Sequence, residues 1–208
     1  MVTKNKMTQT VETAIKSKIY GHGRGWVFTP KHFLGLGSPG AIRFVLFTLR
    51  KEDFIRRISQ GLYYYPIQHE TLGTLSPSVE GVAKAIAEKH GFRIQPSGAY
   101  AANAISLSEQ VPGRVVFLTD GPSRKAKVGK IVISFRHTSL RNMFAAGSRE
   151  GVVIQAMKFM GRQHLNQIRL DQIKRVLKGS NRKDFERNLK YAPEWIRTLL
   201  FKLMENDL

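Results

Sequence analysis

The chain has 208 residues, 42% of them hydrophobic, and a formal net charge of +19 from 34 basic and 15 acidic side chains. This size and hydrophobic content predict one or two folded domains rather than a disordered chain, and the absence of cysteine excludes disulfides, thiolate metal ligands and a cysteine nucleophile. A positive charge of this size favours a polyanionic partner, with nucleic acid as the first candidate and an acidic protein as the alternative.

The N-terminal third of the chain predicts three helices in succession. Four apolar residues at helical spacing predict the first helix between Thr8 and Tyr20, ending at Gly21: Val11, Ala14, Ile15 and Ile19. Thr29-Pro30 carries an N-cap residue followed by proline, so a short second helix begins there and ends at the glycines that follow, Gly35 and Gly37. Ser38-Pro39 repeats this pattern and begins a third helix, whose predicted core face is Ala41, Ile42, Val45, Leu46 and Leu49.

The opposite face of the third helix predicts a recognition surface. It carries Ser38, Arg43, Phe44 and Phe47, an unusual mixture for a solvated helix face. Strand-forming residues 54–58 and 62–65, joined by a Ser-Gln-Gly turn, predict a hairpin directly after the helix. Helices followed by such a hairpin are typical of a winged helix-turn-helix domain, which we place at residues 1–66. In that arrangement the last helix enters the major groove of DNA, and flanking basic residues, here Arg56 and Arg57, contact phosphates.

Residues 67–208 predict a mixed α+β domain, so the expected fold class is α+β overall. The composition of residues 68–78 is that of a linker, and a capped helix follows and ends at Gly91. Strands are expected at residues 92–94, 114–119, 125–128 and 131–135, with a small-residue helix at 99–105. These elements make residues 67–142 the strand-containing part. Residues 143–208 show helical spacing only, in four segments, and form the helical C-terminal part.

The chain carries little that predicts catalysis, a metal site or a cofactor. The histidines are scattered without metal-ligand spacing, and carboxylates are too few to favour a two-metal site. Asp120 precedes Gly-Pro, where a turn residue is expected rather than a catalyst. We therefore expect neither enzymatic activity nor a cofactor. No apolar run reaches membrane-spanning length and the N-terminus lacks the apolar core of a signal peptide, so a cytoplasmic protein without a membrane partner is expected.

Three stretches of the chain resemble the AbiEi-type antitoxins of bacterial type IV toxin–antitoxin systems. The segment IRRISQGLYYYP, residues 55–66, is similar to the hairpin that closes the winged helix of that family. The run RIQPSGAYAANAISLSEQVPGRVVFLTDGPSR, residues 93–124, resembles the central motif of the family, and LKYAPEWIRTLL, residues 189–200, resembles its C-terminal end. The likeness therefore extends over nearly the whole chain.

This resemblance implies an antitoxin that also represses its own promoter by binding repeats in double-stranded DNA. The rest of the chain would counteract a nucleotidyltransferase-type toxin encoded beside it. Type IV antitoxins can act on the toxin's target or reverse its effect, so a direct complex between the two proteins is not required. The positions that match the winged helix are Thr29, Lys31, Ser38, Arg43, Arg56 and Arg57. Phe44 and Phe47 depart from the expected polar residues. They offer apolar contact with thymine methyl groups or with another protein surface, or they are buried under the second domain.

Two other classes of function remain open from the sequence. One is an RNA- or ribosome-binding module in which the winged helix is structural. The other, less favoured, is an enzyme that acts on nucleic acid and depends on Asp120. The residues that would neutralise a toxin, and the oligomeric state, do not follow from the sequence.

Overall fold

The structure is a computed structural model that describes residues 2–110, 112–129 and 131–205, with side chains from Thr10 onward. Over these residues the chain forms eight α-helices, two short 3-10 helices and nine strands in three sheets. The fold class is α+β, as predicted. Two compact units divide the chain, residues 1–90 and residues 91–208. The first unit therefore extends beyond the predicted winged helix-turn-helix region, residues 1–66.

The first unit combines helices with two small antiparallel sheets. Strands β1, β3 and β2 form one sheet in that order, and β4 and β5 form a separate hairpin. The predicted succession of helix, short helix, helix and hairpin is present, and the assignment as a winged helix-turn-helix domain stays a prediction. Strand β1, which pairs with β3, was not predicted. The elements are α1 (Val2–His22), β1 (Val27–Phe28), a 3-10 helix (Pro30–Phe33), α2 (Pro39–Lys51), β2 (Arg56–Ser59), β3 (Leu62–Tyr64), β4 (Ile67–His69), β5 (Gly73–Leu75) and α3 (Val79–His90).

The apolar faces of α1 and α2 pack against aromatic residues of β1 and the 3-10 helix. Four of the five predicted core residues of α2 are buried, and Ala41 is half-buried. Helix α1 ends at His22 and is stopped by Gly23 rather than by the predicted Gly21. The φ of Gly23 is +79°, and its amide donates to the carbonyls of Ile19 and Tyr20. The core of this unit is Ile15, Ile19, Phe28, Phe33, Ile42, Val45, Leu46, Leu49, Ile55 and Tyr65.

The segment predicted to be a linker instead contains the hairpin of β4 and β5. Its turn is organised by His69, whose Nδ1 accepts from the amides of Thr71 and Leu72 at 3.2 and 3.3 Å. The histidine side chain thus accepts the backbone hydrogen bonds that an aspartate or asparagine side chain accepts in an Asx turn. The strands are three residues long and mostly exposed, so they lack the alternating apolar pattern on which the prediction depended.

The second unit has a four-stranded sheet and five helices. The strand order is β6-β7-β9-β8, with β7 and β9 parallel and the other pairs antiparallel. The structure confirms the four predicted C-terminal helices and the predicted strands at residues 114–119, 125–128 and 131–135. Lys130, in the predicted turn between two strands, lies outside the described residues. Buried side chains of all five helices share one core. The elements are β6 (Ile94–Ser97), α4 (Gly98–Ala104), β7 (Val115–Thr119), β8 (Arg124–Val128), β9 (Ile131–His137), α5 (Arg149–Met160), a 3-10 helix (Arg162–His164), α6 (Gln167–Leu177), α7 (Arg182–Leu189) and α8 (Glu194–Met204).

Candidate nucleic-acid interface

The exposed face of α2 combines two phenylalanines with three cations. Phe44 is 60% exposed and Phe47 is 46% exposed, so packing within the first unit does not bury them, and burial under the second domain stays a prediction. Arg43, Phe47 and Arg50 follow one another at four and three residues, which places them on the side of the helix opposite the core. The face thus pairs large apolar side chains with positive charge, although solvent-facing helix positions usually carry polar groups.

The rings and cations of this face are in contact. The Nζ of Lys51 lies 4.9 Å from the centre of the Phe47 ring, and the Arg50 guanidinium lies 5.6 Å from it. Such cation–π contacts hold the charges above an exposed ring. The sequence interpretation did not include Arg50 and Lys51. Their positions three and four residues after Phe47 are the pattern that could have identified them.

The N-terminal end of α2 is exposed and free of acidic residues. The Oγ of Ser38 accepts a hydrogen bond from the amide of Ala41 at 3.2 Å, which confirms the predicted N-cap. The first turn of α2 contains no acidic side chain, so the partial positive charge of the helix dipole is not neutralised there. Pro39 has no amide proton and the Ala41 amide is already bonded to Ser38, so a phosphate at this end would be stabilised by the field of the helix rather than by a set of free amides.

The hairpin that follows α2 carries the two predicted phosphate-binding arginines. Arg56 and Arg57 are exposed on β2 and pair in register with Tyr64 and Tyr63 of β3. The Nε of Arg57 donates to the carbonyl of Ser59 at 3.1 Å, next to an irregularity in the strand register. This bond uses one of the five guanidinium donors, so the others remain available to a phosphate.

Two other predicted contact residues make structural contacts: Thr29 is buried by them, whereas Lys31 is exposed and stays a predicted DNA contact. Thr29 is 1% exposed, and its hydroxyl lies 3.1 Å from Nδ1 of His32 within a capping box, so it cannot reach DNA. The Nζ of Lys31 donates to the carbonyl of Lys89 at the end of α3, at 2.8 Å. Lys89 in turn donates to the carbonyl of Gln60 in the hairpin turn, at 2.8 Å. The end of α3 thus fixes both the 3-10 helix and the tip of the hairpin.

The carboxylate considered for catalysis is engaged in a structural contact. Asp120 Oδ2 accepts from the Nε of Arg93 at 2.8 Å, and its Oδ1 accepts from the Arg93 amide at 2.7 Å. The side-chain hydrogen bond from Arg93 lowers the pKa of Asp120 below its ordinary value, despite an opposing effect of burial. In the part of the chain that the structure describes, no group of three or more histidine and carboxylate side chains could hold a metal. None of the helices described is long and apolar enough to cross a membrane.

Comparison with known proteins identifies the family of the chain. A comparison with curated proteins gave no match. The model of one family, described as a family of unknown function (DUF6088), matches residues 14–185. This range contains α2, the hairpin and every predicted contact residue, and it continues through the sheet of the second unit into α7. Since the match covers well over half of its residues, the chain belongs to the DUF6088 family.

Proposed function

We propose that this protein is a DNA-binding transcriptional repressor whose first unit is a winged helix-turn-helix domain. The observation that carries the proposal is the exposed face of α2, where two phenylalanines lie among three cations, followed by a hairpin with two exposed arginines. Helix α2 enters the major groove with its N-terminal end directed at the phosphate backbone. Arg56 and Arg57 contact flanking phosphates, which positions the helix without reading sequence.

The two kinds of side chain on α2 contribute differently to binding. Arg43, Arg50 and Lys51 supply affinity that depends on salt, because each phosphate contact releases condensed counterions. Phe44 and Phe47 supply apolar contacts that suit thymine methyl groups in the major groove. Affinity therefore comes chiefly from the cations, and part of the sequence preference comes from the phenylalanines.

The biological context of the proposal is a type IV toxin–antitoxin system in the cytoplasm. The resemblance of three stretches to AbiEi-type antitoxins supports a regulator that binds repeats in its own promoter and counteracts a nucleotidyltransferase-type toxin. Belonging to a family of unknown function does not bear on this role. The strong positive charge of the second unit, with 21 basic and 9 acidic residues, suits action on RNA or on an acidic partner.

The test is fluorescence anisotropy with a duplex from the protein's own upstream region, a scrambled duplex and a structured RNA, over a series of salt concentrations. We expect the upstream duplex to bind at least about a hundredfold more tightly than the scrambled one, a difference of about 2.7 kcal/mol. Equal binding to both duplexes would contradict the proposal. Preference for the RNA would favour the RNA- or ribosome-binding alternative.

Single variants separate the two contributions. Arg43→Ala should reduce the slope of log affinity against log salt by about 0.9, the value for one phosphate contact. Phe44→Ala should leave this slope unchanged and reduce the preference for the upstream duplex, because an exposed apolar ring carries no charge. Lys84→Ala is the matched control, since Lys84 is an exposed lysine of the same unit that pairs with Glu80 on α3. If Lys84→Ala and Arg43→Ala behave alike, binding reflects general positive charge and the proposed face is wrong.

A further inference from the structure

A second electropositive site lies entirely within the second unit. It is an open basin of about 550 Å³ formed by the segment after β9, by α5 and by the connection between α7 and α8. Four cations and one carboxylate line it: Arg141, Lys158, Lys190, Arg197 and Glu194. Its volume is within the range of sites that bind small organic molecules and is far larger than a single phosphate needs.

The cations of the basin are held close together with little neutralisation. Burial lowers the pKa of Lys158, and the nearby positive charge of Arg141 lowers it further. Among the described residues, the only carboxylate paired with a basin cation is Glu194, whose Oε1 lies 4.0 Å from Arg197. The repulsion between Arg141 and Lys158 is therefore not offset by a carboxylate paired with either of them among the described residues. An anion in the basin would relieve this repulsion.

Two aromatic rings lie at the site: Tyr191 lines the basin, and Phe144 lines a smaller recess that adjoins it. Tyr191 lies 5.7 Å from the Arg141 guanidinium and 5.4 Å from the Nζ of Lys190, measured to the ring centre. The ring of Phe144 meets that of Tyr191 edge to face at 4.8 Å, and both side chains are 38% exposed. An exposed pair of rings beside several cations is a surface on which a nucleobase can pack while its phosphate is held by charge.

The floor of the site contains a buried amide without a partner. Gln95 of β6 is 1% exposed, and within the part of the chain that the structure describes neither its Oε1 nor its Nε2 has a hydrogen-bond partner. It lines a recess of about 20 Å³ that shares Arg141, Lys158 and Tyr191 with the basin. A recess of this size holds about one water-sized atom. Leaving a buried amide unpaired destabilises a protein, so a polar atom in this recess, from a ligand or from a water, would be stabilised by Gln95.

A glycine keeps the recess open. A Cβ on Gly151 of α5 would overlap the carbonyl oxygen of Ala145 and would lie 2.8 Å from Oε1 of Gln95. Only glycine therefore leaves space between α5, the preceding turn and the Gln95 amide. The recess, the unpaired amide and the cations are independent features that meet at one place.

We propose that this basin binds a nucleoside phosphate, either as a free nucleotide or at the phosphorylated end of an RNA strand. The phosphate lies among Arg141, Lys158 and Lys190, and the base packs against Tyr191 and Phe144. Gln95 binds the innermost polar atom of the ligand, directly or through one water. This site shares no residue with the proposed DNA-binding face, so it does not depend on the proposed function.

The experiment is isothermal titration calorimetry of the full-length protein with the four nucleoside monophosphates, with ATP and with inorganic phosphate. A short single-stranded RNA is titrated with and without a 5′-phosphate, so that general binding to RNA cancels between the two. We expect at least one nucleotide, or the phosphorylated RNA, to bind at least about tenfold more tightly than inorganic phosphate. If the phosphorylated RNA binds more tightly than every free nucleotide, the ligand of the basin is the end of an RNA strand. If a free nucleotide binds more tightly than the phosphorylated RNA, the ligand is the free nucleotide.

Variants locate the binding in the basin. Lys158→Ala should raise the Kd about tenfold, whereas Lys183→Ala, which removes an exposed lysine of α7 outside the basin, should change it by less than about twofold. Gln95→Met should weaken binding while the midpoint of thermal unfolding rises, because the unpaired amide is removed without changing the shape of the core. If the role of Gln95 were purely structural, Gln95→Met would instead lower the midpoint of thermal unfolding. The proposal is overturned if no nucleotide or phosphorylated strand binds at millimolar concentration, if phosphate binds as well as nucleotides, or if the two lysine variants behave alike.

Discussion

Glu150, in the first turn of α5, is a buried carboxylate whose removal should strongly destabilise the second unit. The residue is 5% exposed. Its Oε1 accepts from the hydroxyl of Ser180 at 2.7 Å, and its Oε2 accepts from Nδ2 of Asn188 at 2.9 Å. These bonds join the start of α5 to α7 and to the segment before it. A hydrogen bond to a charged group contributes about 1.5–3 kcal/mol, so Glu150→Ala should cost about 3–6 kcal/mol.

The assay is urea unfolding, read from the free energy of unfolding and its dependence on denaturant. A loss of 3–6 kcal/mol is large against a typical stability of about 5–15 kcal/mol. Glu150→Gln keeps the shape and one acceptor but places an amide donor against a donor, so it should lose roughly half as much as the alanine variant. A loss below about 1 kcal/mol for Glu150→Ala would refute the reasoning, because both donors would then have found other partners.

The same residue predicts a dependence of stability on pH. Burial alone would raise the pKa of Glu150, but hydrogen bonds from Ser180, from its own backbone and from Asn188 outweigh burial and lower it. A lowered pKa in the folded state means that the stabilisation is complete above the ordinary value of 4.5 and is lost as the pH falls through the folded value. The stability difference between the wild type and Glu150→Gln should therefore shrink below about pH 5. Asp120 titrates in the same direction in both proteins, so its contribution cancels.

Three further predictions concern single positions. Gly151→Ala should lower the free energy of unfolding by about 1–3 kcal/mol, because the added Cβ would overlap the Ala145 carbonyl. Gly40→Ala should raise it by up to about 1 kcal/mol, because a Cβ there meets nothing within 4 Å. Urea unfolding measures both changes, and similar effects of the two variants would contradict the prediction. Ser38→Ala should cost about 1 kcal/mol by removing the N-cap of α2, and an unchanged unfolding midpoint would show that the cap is dispensable. The Arg43→Ala protein should no longer repress a promoter reporter but should still rescue the growth of cells that express the toxin. Loss of both activities in this variant would contradict separate roles for the two units.

The sequence was most informative where local chemistry determines local structure. The N-cap at Ser38 and the apolar spacing of α2 predicted that helix and its core face, because capping and amphipathic spacing act within a few residues. The same cap pattern at Thr29 was wrongly assigned to the DNA interface. Sequence shows that a threonine can cap a helix, but only tertiary packing determines whether its hydroxyl stays accessible.

The short strands were missed for a different reason. Strand β1 has two residues and is defined by its pairing with β3, which is more than thirty residues away in the sequence. The hairpin of β4 and β5 depends on a histidine side chain that satisfies backbone amides in its turn. Neither feature leaves a periodic apolar pattern, and such patterns are the basis of strand prediction.

The basin of the second unit lay beyond sequence reasoning for a physical reason. Gln95, Arg141, Lys158 and Lys190 lie on four separate parts of the chain, and no local pattern of residues indicates that they meet, although Gln95 and Lys190 fall within stretches that resemble the antitoxin family. Their significance depends on their folded surroundings: among the described residues Gln95 has no hydrogen-bond partner, and Glu194 is the only carboxylate paired with a basin cation. Whether a polar group finds a partner depends on the folded arrangement, because almost any glutamine could be satisfied by some neighbour. A polar group left without a partner in a packed core costs stability, and that cost is understandable at Gln95 if a ligand supplies the missing bond.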